Sequence, residues 1–200
     1  MNPPDIQAAL NPVIDAFEAL GIVYYVGGSV GSSVYGIPRT TLDIDLVADL
    51  PKAKVNPLCK LLQEAYYVDA SVIEQALERR SSFSLIHLPT MIKVDVFAMK
   101  ARPFDQESFR RRRRERLEES VKGREYFPAS PEDIILNKLE WYRQGGGVSE
   151  RQWTDVLGVL KVQSKSLDMA YLVRWAPQLG VDDLLKRSLQ DAGLENDASA

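Results

Sequence analysis

The chain has 200 residues, 45% of them hydrophobic and 26% charged, enough apolar material for a buried core and too much for wholesale disorder. A formal net charge of −3 excludes a protein that gathers nucleic acid through bulk positive charge. The charge is uneven, since Arg39 is the only basic side chain in the first fifty residues, whereas Arg110 to Arg114 form an unbroken basic run.

In chain order, Asn11-Pro12 reads as an N-cap followed by proline at the first helical position. Val13, Ile14, Phe17 and Leu20 then recur at helical spacing, and Gly21 supplies the stop. Ile22 to Val26 is β-branched and aromatic and predicts a buried strand, which runs into Gly27-Gly28-Ser29 and a short helix through Val34-Tyr35. Leu42 to Val47 is the next strand. Asn56-Pro57 repeats the cap-plus-proline device and opens a helix to about Ala65. Ser71 with Glu74 three residues later predicts a capping box for another helix. Ser82 to His87 and Met91 to Met99 are strands, separated by Leu88-Pro89-Thr90. Beyond Arg102-Pro103 the periodicity fades, and Arg114 to Val121 with Glu125 to Phe127 suggests a hairpin around Lys122-Gly123-Arg124. Ser130-Pro131-Glu132-Asp133 combines N-cap, proline and first-turn acids and starts a helix that ends at Gly145-Gly146-Gly147. Further helices are expected from near Ser149, over Asp168 to Ala176 and over Val181 to Gln190. The expected class is α+β: a mixed α/β part over residues 1–128, a helical region over 129–194, and a polar tail over 195–200.

The lone Cys59 excludes an internal disulfide and a cysteine-based zinc cluster, suits a reduced compartment, and is expected to be a small buried hydrophobe. No apolar run reaches the ~20 residues of a membrane span, and Met1-Asn2-Pro3-Pro4-Asp5 opens without the features of a secretion signal, so a cytoplasmic protein with no membrane partner is expected. His87 is the only histidine and ends an apolar strand, where a partly buried structural role is expected. Trp141, Tyr142 and Trp175 read as helix-packing residues.

The informative stretch is Val26 to Leu46. Strand side chains alternate faces, so Asp43 and Asp45 project together while Leu42, Ile44 and Leu46 project oppositely. Adjacent carboxylates repel unless a cation lies between them, and hard oxygen ligands suit Mg²⁺. Lys93, Asp95 and Phe97 share one face of a later strand in the same way, and an aspartate between Val94 and Val96 is costly unless paired or metal-bound. Gly27-Gly28 leaves a strand and enters a helix, where phosphate oxygens can approach backbone N–H groups, and Ser29 adds a hydroxyl.

Gly27-Gly28-Ser29, a spacer, Asp43-Ile44-Asp45-Leu46 and a later strand aspartate, Asp95, together resemble the signature of the polymerase-β-like nucleotidyltransferase superfamily. The form Arg39-x-Thr41-x-Asp43-Ile44-Asp45 looks closer to the small bacterial nucleotidyltransferases that include the abortive-infection (AbiEii-type) toxins. Ser130 to Leu139 resembles their lysine helix, and Arg151 to Leu157 their following Arg-x-x-x-Asp element, so the likeness spans roughly 27–160. It implies a nucleotidyltransferase-type mixed sheet flanked by helices, with a C-terminal helical bundle. Asp43, Asp45 and Asp95 would hold Mg²⁺, with Mn²⁺ as the alternative ion. Gly27, Gly28, Ser29, Arg39, Thr41 and Lys138 would bind an NTP, Arg39 either touching phosphate or bracing its loop. Lys138 and Asp155 would join the aspartates in catalysis. The acceptor hydroxyl would lie on a tRNA end, a protein side chain or a small molecule, the likeness to toxins favouring tRNA or protein, and a toxin would imply a cognate antitoxin.

Several residues carry a second reading. Lys138 borders an apolar helix face and could be a snorkelling lysine. Asp155 lies opposite the stripe of Trp153, Val156, Leu157 and Leu160 and could face solvent or form an inter-helix salt bridge. Arg110 to Arg114, with Arg116, is either a solvated face offset by Glu115, Glu118 and Glu119 or a contact for polynucleotide phosphates. For the whole chain, the alternative to an enzyme is a non-catalytic nucleotide-binding or protein-interaction module with the same fold.

Overall fold

The computed structural model describes residues 3–39, 41, 43–113, 115–116 and 125–194. The chain forms two compact units, one of Met1–Val30 with Thr40–Pro128, the other of Gly31–Arg39 with Ala129–Ala200. The polar tail and the tip of the expected hairpin lie outside the described residues.

The first unit is built on a five-stranded mixed sheet in the order β1-β2-β5-β4-β3, from β1 (Val23–Val26), β2 (Asp43–Asp49), β3 (Tyr66–Tyr67), β4 (Ser82–His87) and β5 (Lys93–Ala98). Only β2 and β5 pair in parallel; the other neighbours are antiparallel. Alternation on β2 and β5 sends Ile44, Leu46, Val94 and Val96 into the core, fully buried. There they meet Leu10, Ile14 and Phe17 of α1 (Pro3–Ala19), Leu58 and Leu62 of α3 (Val55–Leu62) and Ile73 of α4 (Ala70–Glu78). One sheet face is therefore apolar and covered by helices, and the other carries Asp43, Asp45, Lys93 and Asp95 beside the partly buried Val47 and Phe97.

The local readings hold where a cap or an alternation is decisive and fail where a neighbour overrides them. The first helix does not begin at Asn11-Pro12 but runs through it. Its buried stripe of Ala9, Leu10, Val13, Ile14 and Phe17 outweighs the lost proline N–H, and exposed Ala8 can turn the freed carbonyl to water. Asn11 instead accepts a hydrogen bond from the Tyr126 hydroxyl at 2.6 Å. Helix α3 starts at Val55, after a 3₁₀ turn over Lys52–Lys54, so Asn56 is no cap. The cap of α4 is Asp69, whose carboxylate accepts from the backbone N–H of Ser71 and Val72, rather than the expected Ser71. Neither the two-residue β3 nor helix α5 (Pro103–Arg111) was legible. The hairpin base is present as β6 (Glu115–Arg116) against β7 (Glu125–Tyr126).

The second unit is helical: α6 (Pro131–Gln144), α7 (Glu150–Gln163), α8 (Met169–Trp175) and α9 (Asp182–Ala192). Ser130, Ser149 and Asp168 cap the first three by accepting from backbone N–H groups. The Ser130 hydroxyl also donates to Asp133 Oδ2 at 2.7 Å, and Asp133 Oδ1 accepts from the Tyr171 hydroxyl at 2.7 Å, which satisfies a fully buried carboxylate. Ser130→Ala should therefore lower stability by about 1–2 kcal/mol, read as a reduced urea midpoint with an unchanged m-value. An unchanged midpoint would refute it.

The segment Gly31–Arg39 belongs to the same compact unit as Ala129–Ala200. This segment contains most of α2 (Gly28–Tyr35). Gly158 on α7 explains the attachment: a Cβ there would lie 3.3 Å from the Ile37 backbone nitrogen, so glycine lets the segment sit directly on the helix. Gln163 donates to the Tyr35 carbonyl at 3.0 Å and extends the contact.

Candidate functional site

On the open face of the first unit, the parallel register of β2 and β5 sets Asp43 beside Lys93 and Asp45 beside Asp95. Antiparallel β4 adds Ser84 beside Asp95. Neighbouring strands are ~4.8 Å apart, so Asp43, Asp45 and Asp95 lie on one face of two adjacent strands. Strand alternation pairs Asp43 with Asp45 and Lys93 with Asp95, as expected for each strand alone, and the β2–β5 register sets the two pairs side by side.

The group contains its own cation. Lys93 Nζ lies 2.7 Å from Asp95 Oδ2 and 3.7 Å from Asp43 Oδ1. The hydrogen bond to Asp95 raises the lysine above its ordinary pKa despite partial desolvation, so it stays an ammonium. The Ser84 hydroxyl donates to the other oxygen, Asp95 Oδ1, at 2.5 Å. Both oxygens of Asp95 are thereby engaged. Lys93 was legible as a same-face neighbour of Asp95 but not as its partner; Ser84 had no signal, because the β4–β5 register depends on the turn between them.

Gly28 meets this row from β1's end. It has φ +53°, and a Cβ built there would fall 1.7 Å from Asp45 Oδ2 and 2.7 Å from Asp45 Cβ. Only glycine lets the Asp45 carboxylate lie on the strand-to-helix turn. The Gly27 N–H donates to the Asp45 carbonyl at 2.9 Å and fixes the turn to β2. Ser29 is half-buried beside it. The Thr41 hydroxyl bonds the Asp43 carbonyl at 3.0 Å, so it holds the entry to β2; the spacer residues Thr40 and Leu42 lie outside the described residues.

Arg39, Lys138 and Asp155 come together in the second unit. Arg39 binds Asp155 with two nitrogens, at 2.8 and 3.0 Å, and Lys138 Nζ reaches Asp155 Oδ2 at 2.7 Å. The side chains of Lys138 and Asp155 are 4% and 3% exposed, so neither the snorkelling lysine nor the solvent-facing aspartate is right. The inter-helix salt bridge is what forms, with Arg39 as a third member.

Among its described residues, the basic run is not one cationic face. Arg110 pairs with Glu107 at 3.4 Å. Arg112 turns inward, donating to the Phe109 carbonyl at 2.5 Å and lying 5.6 Å from the Phe127 ring centre. Arg114 and the side chain of Arg116 lie outside the described residues. His87 is buried, its Nδ1 2.7 Å from the Thr90 hydroxyl and its ring against Tyr66, and burial lowers its pKa, as a structural histidine requires. Cys59 is only partly buried at the core's edge. Tyr142 packs on Trp153 and Trp175 on Tyr171, the helix-packing roles expected of both.

The solved structure of the lincosamide antibiotic adenylyltransferase LnuA, lincomycin-bound, superposes with a TM-score of 0.53 at 14% identity, covering 81% of this chain and 98% of that one. An antigenic nucleotidyltransferase-like protein from Paracoccidioides brasiliensis gives 0.53 at 18% identity over 90% of this chain and 92% of its own. The antibiotic-resistance factor ANT(2'')-Ia gives 0.52 at 14% identity over 98% of both chains. The chain has the nucleotidyltransferase fold. At these identities the likeness carries the fold and no further, and no family model or curated protein matches the sequence. The nucleotidyltransferase fold here is the α+β arrangement read from the sequence. Among the described residues, no helix is long and apolar enough to cross a membrane.

The donor chemistry of Asp43, Asp45 and Asp95 fits a hard divalent cation. Their arrangement fits less well, because among the described residues no three acidic, histidine or cysteine side chains converge as an ion would require. Lys93 stands between Asp43 and Asp95 in the place a cation would take.

Proposed function

We propose that this protein is a metal-dependent nucleotidyltransferase that moves a nucleoside monophosphate from an NTP to an acceptor hydroxyl. The observation that carries the proposal is the register of β2 on β5, which lines up three carboxylates on the open sheet face, with Gly28 against Asp45. Asp43, Asp45 and Asp95 would hold Mg²⁺ or Mn²⁺; such ions, when bound, neutralise triphosphate charge and make a hydroxyl easier to deprotonate. Gly27, Gly28 and Ser29 offer backbone N–H groups and a hydroxyl to phosphate at the start of α2. Thr41 fixes the backbone that presents Asp43. Lys138 and Asp155 enter as a pair: donation by Lys138 to a phosphate requires it to release Asp155, which would keep Arg39 as its counter-ion.

The resemblance to toxins favours a tRNA or protein acceptor, a cognate antitoxin and a cytoplasmic site of action. The lincomycin-bound LnuA and the ANT(2'')-Ia complex with adenylyl-2''-tobramycin, 0.52 in TM-score at 14% identity over 90% of this chain and 96% of that one, lend weight to the small-molecule alternative. A second reading, a nucleotide-binding or protein-interaction module without turnover, is favoured by one observation: both oxygens of Asp95 are already engaged.

The test incubates the full chain with each α-³²P-NTP, Mg²⁺, total RNA, cell protein and a panel of small hydroxyl compounds. Label transfer is expected with the native protein and is expected to fall to background with Asp43→Ala Asp45→Ala, whose circular dichroism stays native. Transfer by the variant at the native rate would sink the proposal, and metal-independent nucleotide binding without transfer would favour the module.

A further inference from the structure

Asp95 accepts from Ser84 on one oxygen and from Lys93 on the other, and Lys93 also faces Asp43. One ammonium is therefore shared between two of the three carboxylates, held tightly by Asp95 and more loosely by Asp43. The Asp95 side chain is 17% exposed and the lysine 44% exposed, so the ammonium can withdraw into water while the carboxylate cannot follow.

We propose that Lys93 is a built-in counter-cation that holds Asp95 while the site is free of metal and competes with an entering divalent ion for that carboxylate. The proposal rests on the reading of Asp43, Asp45 and Asp95 as a metal site. It also accounts for the failure of three ligands to converge: Asp95 is drawn to Lys93 along β5 instead of across to Asp45 on β2. A divalent ion entering beside an ammonium would meet strong repulsion at ~4 Å, so binding and the Lys93–Asp95 contact oppose each other. Lys93 is in this sense a positioning residue. It sets the metal concentration at which the carboxylate group closes.

The experiment measures Mn²⁺ binding to the full chain without nucleotide, by the electron-paramagnetic-resonance signal of free Mn²⁺. Lys93→Met and the more polar Lys93→Gln are each expected to bind about tenfold tighter than the native protein, and Lys93→Arg to stay within about twofold of it. In the absence of metal, Lys93→Met should melt at a lower temperature, and Mn²⁺ should raise its melting point more than it raises the native one. Equal or weaker Mn²⁺ binding by folded Lys93→Met and Lys93→Gln would overturn the Lys93 proposal. If native binding is nevertheless lost in Asp43→Ala Asp45→Ala, the metal reading survives that result. Absence of Mn²⁺ binding by the native protein and by every lysine variant would overturn both.

Discussion

Asp155→Ala is expected to destabilise the protein by about 3–5 kcal/mol, because it strands two cations around a buried, empty place. Lys138 is 4% exposed and Arg39 31%, and both direct their charge at this carboxylate, at 2.7 Å for the lysine and 2.8 Å for the arginine. The loss should exceed that of Lys138→Met, which removes one cation and leaves Arg39 bidentate on Asp155. The pair Lys138→Met Asp155→Leu should recover part of the stability, since it removes the buried ammonium with its carboxylate and leaves Arg39, 31% exposed, to be hydrated. Urea unfolding of the three variants measures this, and an Asp155→Ala loss under about 1 kcal/mol would refute the buried-pair account.

The same carboxylate predicts a pH dependence. Burial pushes the Asp155 pKa up, but hydrogen bonds and charge from Arg39 and Lys138 outweigh it and hold it below its ordinary 3.8. A folded pKa below the unfolded one stabilises the protein above about pH 4, and that contribution is lost as pH falls through the folded value. Asp155→Asn, with no carboxyl to protonate, should lose less stability than the native protein between about pH 5 and 2, followed by urea midpoints. An identical slope for the two proteins would remove Asp155 from the explanation.

Gly28→Ala is the second large effect, and it should strike stability and activity together. The backbone at φ +53° disfavours any Cβ, at about 1–2 kcal/mol, and the new methyl would overlap Asp45 from Oδ2 at 1.7 Å back to Cβ at 2.7 Å. Turning the carboxylate aside is therefore not enough, and β2 itself must move, which adds about 1–3 kcal/mol. The expected total is about 2–5 kcal/mol in urea unfolding, and the proposed nucleotidyl transfer would be lost with it. Asp45→Gly in the Gly28→Ala background should restore part of the stability but no activity, whereas Asp45→Ala, which keeps the Cβ, should restore little. A Gly28→Ala protein with native stability and activity would refute the close approach.

These residues also mark where sequence reading succeeds and where it stops. Ser130, Ser149 and Asp168 announce their helices because a cap bonds its own next turn, a contact written within a few residues. The common face of Asp43 and Asp45, and of Lys93 and Asp95, follows from strand alternation alone. The ordered set of glycine turn, paired aspartates and later strand aspartate was enough to anticipate the fold. By contrast, Asp69 displaced Ser71 as a cap, and α1 continued past Pro12, because competing neighbours and a buried apolar stripe decided between two locally acceptable answers.

What the sequence determined by itself is the order of the longer elements other than α5, their inner faces and the residues able to bear charge chemistry, since each depends on spacing along one strand or helix. The tertiary structure alone decided which charges meet. The β2–β5 register brought Lys93 between Asp43 and Asp95, and the β4–β5 pairing brought Ser84 to the same carboxylate. Arg39 reached Asp155 across 116 positions, and with that contact the segment 31–39 joined the helical unit rather than the sheet that precedes it. No periodicity records such partners, because an ion pair is selected by desolvation and geometry once the core has closed, and only then does a carboxylate find the cation that keeps it charged.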